Sequence, residues 1–259
     1  MHEWSSEVLP EITFPPPERP SCDPIDFALS LGFTPDPVQT EILRSTTHRG
    51  ILNCSRQWGK STVMAALALH HAATNPASLT LVVSPSARQS GEFLRKVEDF
   101  AVRINLPKRS DGRNDMSLRL PNEARIVALP ASGDTIRGFS NVSLLLIDEA
   151  AYVPDPLFHS VLAMLAASGG RLWLMSTPNG QRGFFYQTWT QAGPHWLKIA
   201  VPARDCPRIA PDFLDEVRTL LPPDIFSQEY ECQFLAPIGA LFDPQWLEGM
   251  FTDDVKAWK

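Results

Sequence analysis

The chain has no apolar run long enough to cross a bilayer and no basic N-terminal region followed by an apolar stretch, so neither a membrane span nor an export signal is expected. Cysteine is scarce. The four present, Cys22, Cys54, Cys206 and Cys232, lack metal-ligand spacing, which excludes a cysteine-based metal cluster and suits reduced thiols in a cytoplasmic setting. No internal repeat is found. An excess of positive charge is also missing: at a formal net charge of −6, the protein does not coat nucleic acid over its whole surface. A local basic patch stays open, because ten basic residues stand against seven acids between Arg88 and Arg137. A solvated helix face explains that surplus equally well. Apolar residues make up 44% of the 259, enough for a sizeable core, expected as one α/β domain with an appendage.

Two motifs carry the chemistry. Cys54-Ser55-Arg56-Gln57-Trp58-Gly59-Lys60-Ser61 follows the apolar run Gly50 to Asn53 and precedes Thr62 to Leu69, so it reads as strand, loop, helix. In a phosphate loop the backbone N–H groups of Ser55, Arg56, Gln57, Trp58, Gly59, Lys60, Ser61 and Thr62 face the phosphates of ATP. Lys60 reaches the β and γ oxygens, and the Ser61 hydroxyl joins the Mg²⁺ shell. The usual first glycine of such a loop is absent; Cys54 stands there. The second motif, Leu144-Leu145-Leu146-Ile147-Asp148-Glu149, fits a buried parallel strand delivering carboxylates at its C-terminal edge. Asp148 is the candidate Mg²⁺ ligand and Glu149 the candidate activator of the attacking water. Alone, the two acids are the polar end of a core strand; with the phosphate loop upstream they indicate a motor-type ATPase.

Along the chain, residues 1–31 are Pro-rich and are expected as an arm that contributes little core. A short helix, Gln39 to Arg44, follows the turn at Gly32-Phe33-Thr34-Pro35, where Phe33 and Gln39 are placed to meet an adenine ring. Strands are expected at Leu79 to Ser84, Ala124 to Leu129, Leu144 to Glu149, Arg171 to Ser176 and Trp196 to Val201. Helices are expected at Gln89 to Arg103 and near Pro156 to Ala167, with two short ones between Pro211 and Phe234. Leu106 to Pro121 reads as a loop or β-excursion, and Ser132 to Gly138 as a loop. This alternation indicates a mostly parallel sheet wound on both faces. Ser176 and Thr177 end a strand beside the acidic pair and are candidates for sensing a γ-phosphate; an ordinary turn is the plain alternative.

The ordered set Pro37-Val38-Gln39, Ser55 to Ser61, Ser84-Pro85-Ser86 to Gln89, Ile136-Arg137-Gly138, Leu146 to Ala150, Ser176-Thr177-Pro178 and Gln228 to Phe234 resembles the ATPase domain of viral terminase large subunits. These are the motors that package double-stranded DNA. The resemblance implies an ASCE/RecA-like P-loop NTPase fold with a small C-terminal lid: core 32–202, helical lid 203–242, and 243–259 leading towards a nuclease domain. It implies adenine recognition by Phe33 and Gln39, hydrolysis-to-movement coupling by Ser176 and Thr177, and a trans-acting arginine finger at Arg137. Arg56, inside the phosphate loop, is the competing cis candidate and otherwise a structural or sensing group. The implied partners are double-stranded DNA, the portal protein and the small terminase subunit. The implied assembly is a homo-oligomeric ring, expected as a pentamer on the procapsid and as a monomer in isolation, in the cytoplasm of the infected host bacterium. Asp243, Asp253 and Asp254 are too few for a nuclease centre, so no nuclease activity is expected of this chain. The alternatives are the first RecA-like lobe of a helicase and a nucleotide-binding assembly module without turnover.

Overall fold

A computed structural model describes residues 23–107, 116–132, 138–166 and 168–236. Strand β1 (Arg49–Cys54) lies between β6 (Arg171–Ser176) and β7 (Leu197–Val201), parallel to both. Beyond β6 come β5 (Val142–Asp148), β2 (Leu79–Ser84) and β4 (Arg125–Pro130), again parallel. The short β3 (Ser117–Arg119) closes that side antiparallel to β4, giving the order β3-β4-β2-β5-β6-β1-β7. Two consequences matter for the site. All C-terminal ends of the parallel strands share one edge, where ligands of open α/β sheets bind. One strand, β6, also separates the phosphate-loop strand from the acidic strand.

Strand side chains alternate between two cores, as the pleat requires. Leu144, Leu146, Trp173 and Met175 join one cluster, with residues of α1 (Pro24–Ser30), α2 (Pro37–Arg44), α3 (Lys60–Thr74) and α4 (Ala87–Arg103). Leu145, Ile147, Leu172 and Leu174 join the other, with α5 (Asp155–Leu162) and α6 (Gly183–Gln191). Burial on both faces explains why the strands read as continuous apolar runs. Gly50 sits opposite Trp173, and a Cβ there would stand 2.3 Å from Cε3 of the indole, so only glycine admits the ring. Helices α7 (Pro211–Leu220) and α8 (Pro223–Glu231) complete the chain; the Arg218 guanidinium lies 4.5 Å from the Phe226 ring centroid between them.

The arm expectation is corrected in part. Residues 24–30 form α1, capped by the Asp23 carboxylate, which accepts from the Ile25 and Asp26 N–H groups. Phe27 and Leu31 are fully buried, and Phe27 packs edge-on against His70. Apolar burial overrides the Pro-rich composition there. The expected β-excursion contains β3, while Lys108, Arg109, Arg113, Arg137 and residues 237–259 lie outside the described residues. No helix among the described residues is long and apolar enough to cross a membrane.

Candidate nucleotide-binding site

The C-terminal end of β1 turns into the N-terminus of α3 through the phosphate loop. Gly59 makes that turn at φ +101, a backbone conformation glycine adopts without strain. The Lys60 side chain folds back over the loop, and its Nζ donates to the Cys54 and Ser55 carbonyls at 2.9 and 3.0 Å. A third N–H of the ammonium is left for a phosphate oxygen. With the first-turn N–H groups of α3, this makes an anion site.

The Ser61 hydroxyl lies 3.4 and 3.3 Å from the two Asp148 carboxylate oxygens. Asp148 is buried, and its carboxyl is pushed up to about 6, first by burial and then by the neighbouring Glu149 charge. A hydroxyl and a desolvated carboxylate form a hard oxygen pair, and a divalent cation at that point offsets both causes of the shift. The donors fit Mg²⁺. Glu149 follows with φ 48 and ψ 48, a left-handed conformation costly for a residue with a side chain, and its N–H donates to Asp148 Oδ1 at 3.2 Å. From β6, the Ser176 hydroxyl donates to Glu149 Oε2 at 3.3 Å. Thr177 is buried beside it.

Arg56 lines the cleft and pairs with Glu229 of α8, Nε to Oε2 at 2.5 Å. The Arg56 N–H also donates to the Glu229 carbonyl at 3.1 Å. The carboxylate raises the guanidinium further above its ordinary range. One residue of the C-terminal helices thus holds the phosphate loop by side chain and backbone together.

A cleft of about 560 Å³ joins these parts. Arg56, Gln57, Gly59, Lys60, Ser61, Thr62 and Glu149 line it together with Phe33, Thr34 and Gln39. Two expected contacts are corrected: the Ser55 and Arg56 N–H groups donate to the Val201 and Glu229 carbonyls, at 2.9 and 3.1 Å, and so do not face the phosphates, while the Ser55 and Trp58 side chains are fully buried, Trp58 within the core. Arg137 lies outside the described residues. Lys96 of α4 and Arg208 also line the cleft, and Glu229 and Tyr152 touch its residues, although none of the four is marked in the sequence as part of it. Only Glu229 falls inside a motif, Gln228 to Phe234, and there without a role.

The family model for "Terminase large subunit, T4likevirus-type, N-terminal" matches residues 51–249. The chain belongs to that family. Among curated terminase large subunits it is 25% identical to that of Thermus virus P23-45, over 249 residues, covering 82% of this chain and 51% of the relative. It is 26% identical to that of Escherichia phage T5, over 223 residues, covering 82% and 50%. The chain therefore spans about half the length of these curated terminases. Among solved structures, the large terminase ATPase domain of Thermus phage P74-26 superposes with a TM-score of 0.70 at 24% identity, covering 84% of this chain and 99% of that one. The large terminase of another thermophilic bacteriophage, solved in complex with ADP, gives 0.65 at 14%, covering 81% and 56%. The sheet order above is thus the P-loop NTPase fold of terminase ATPase domains.

Proposed function

We propose that this chain is the ATP-hydrolysing motor domain of a phage terminase large subunit, driving double-stranded DNA into a procapsid in the cytoplasm of the infected host. One observation carries the reading. Lys60, Ser61, Asp148, Glu149 and Ser176 converge at one strand edge, with Glu149 held by a hydroxyl from the strand between the two motifs.

In this reading Phe33 and Gln39 receive the adenine, the N–H groups from Gln57 to Ser61 and the Lys60 ammonium take the β and γ phosphates, and Ser61 and Asp148 hold Mg²⁺. The bound cation supplies charge neutralisation on the phosphoryl oxygens. Glu149 accepts a hydrogen bond from the attacking water and takes its proton, while Ser176 fixes the carboxylate facing the cleft. Hydrolysis then alters what Ser176 and Thr177 touch, beginning with the Ser176 bond to Glu149. Arg56 senses occupancy through its Glu229 pair, and Arg137 acts as the finger supplied to a neighbour in a ring. The C-terminal helices serve as the lid, and the assembly is a ring seated on a portal and fed by a small subunit.

The test is ATP hydrolysis per mole of protein across a wide concentration range, beside Glu149→Ala and Arg137→Ala. Specific activity should climb with concentration, vanish in Glu149→Ala, and fall in Arg137→Ala while nucleotide binding persists. Flat, Glu149-dependent activity transfers the finger role to a cis group such as Arg56. Activity indifferent to Glu149 sinks the motor reading.

A further inference from the structure

Against the phosphate loop, the cleft holds a closed ring of hydrogen bonds. Asp36 caps α2: its Oδ1 accepts the Gln39 N–H at 2.8 Å, and Gln39 Oε1 accepts the Asp36 N–H at 3.1 Å. Gln39 Nε2 donates to the Trp58 carbonyl at 3.3 Å. Arg208, between β7 and α7, completes the ring. Its Nη2 donates to the same Trp58 carbonyl and to Asp36 Oδ2, the latter at 3.0 Å. A residue far along the chain therefore joins the α2 cap to the phosphate loop, around the glutamine side chain.

The ring fixes the flip of the Gln39 amide. The opposite flip would set Nε2 against the Asp36 N–H and Oε1 against the Trp58 carbonyl, two contacts between like dipoles. In the observed flip, one Nε2 hydrogen and one Oε1 lone pair stay unused. That donor and acceptor match the N7 acceptor and N6 amino donor of adenine; guanine presents O6, an acceptor, where Oε1 needs a donor. Arg208 keeps this arrangement in place by neutralising the nearly buried Asp36 carboxylate and giving the Trp58 carbonyl a second donor. Its guanidinium is half exposed and lines the cleft itself, and as a pair with one partner at the surface it contributes little to global stability. The geometry points to Arg208 as the positioning residue that sets nucleobase specificity, holding Gln39 in the orientation that accepts adenine and rejects guanine. This rests on the nucleotide-binding reading of the cleft.

The experiment compares dissociation constants of Mg-ADP, Mg-GDP and Mg-pyrophosphate for the wild type, Arg208→Ala and Arg208→Lys, by titration calorimetry, with thermal unfolding of each. Arg208→Ala should weaken ADP about tenfold, the effect of one hydrogen bond to a charged group. GDP and pyrophosphate should stay within about twofold, so that the preference for ADP shrinks. Arg208→Lys should restore it, because one ammonium donates to both acceptors. Equal losses for all three ligands would mean general damage to the cleft and overturn the proposal. So would an ADP preference preserved in Arg208→Ala, or no preference in the wild type. A wild type that binds none of the three overturns this inference and the nucleotide-binding reading together.

Discussion

The two ends of the sheet do opposite things with polar groups. At the C-terminal edge of the strands lie the charged residues buried among the described ones: Lys60, Asp148 and Glu229. There a carboxyl is pushed up to about 6 and Glu149 holds a strained backbone, both costs to the fold. At the N-terminal edge, bonds from side chains to backbone lace the loops together. Arg171 donates to the Thr47 and Ser45 carbonyls, Arg49 to that of Gly170, Asn122 to that of Ala72 and Ser168 to that of Val142. One edge stores unfavourable electrostatics that a nucleotide and its cation would relieve. The other stabilises the fold that makes this possible. Substitutions at the two edges should therefore separate activity from stability.

The largest effect is expected at the cleft edge. Lys60→Ala removes the cation proposed to reach the phosphates and should lower ATP hydrolysis by about a thousandfold, the scale of one preorganised charge contact. Its unfolding temperature should fall by only about 4 °C, because the lost donor to the buried Cys54 and Ser55 carbonyls is offset in part by removal of a buried ammonium. Paired turnover and calorimetric scans check this. A collapse of stability alongside activity would erase the distinction between the edges.

Next comes Gly50→Ala, near the start of β1 and away from the cleft. The added methyl would overlap the Trp173 ring, and overpacking of this kind costs about 3 kcal/mol. Urea unfolding should show that loss at unchanged slope, while hydrolysis per folded molecule stays near the wild-type value. A variant as stable as the wild type would mean that Trp173 repacks freely, and the laced edge would be softer than its hydrogen bonds imply.

The same contrast decides what the sequence discloses. β2 and β6 run over Leu79–Ser84 and Arg171–Ser176, the bounds expected from their apolar runs, because strands buried on both faces announce themselves. The phosphate-loop and acidic motifs were legible because each is contiguous and ends a strand. Arg208 and Glu229 were not: each reaches the cleft from an element distant in sequence, and nothing local to Pro207-Arg208-Ile209 distinguishes it from a surface turn. Helix α1 was recoverable. Asp23-Pro24 is a cap followed by a proline at the first helical position, and Ile25, Ala28, Phe27 and Leu31 recur at helical spacing behind it, but the neighbouring prolines hid the signal.

The smallest expected effect tests the laced edge through pH. His71, on α3, is half-buried, and the Ser143 hydroxyl beside it already donates to the Leu79 carbonyl at 3.0 Å. The imidazole Nε2 therefore donates to that hydroxyl at 2.9 Å, while Nδ1 accepts from Asn75 Nδ2 at 3.4 Å, the pattern of a neutral ring. Burial, then the Arg171 and His70 charges, pull its pKa from 6.5 down to about 4. Above the unfolded value the ring is neutral in both states and its contribution is complete. As pH falls from 6.5 towards 4, the unfolded chain takes up a proton that the folded one refuses, and stability declines until both are charged. With allowance for partial solvent screening, the loss is about 2 kcal/mol. Unfolding free energies at pH 7 and pH 4.5 for the wild type and His71→Gln isolate it, since the carboxylates titrate alike in both. The wild type should lose more than the variant on acidification. Equal losses would mean that the protonated ring finds an acceptor without unfolding, and that this edge, like the cleft, tolerates a buried charge.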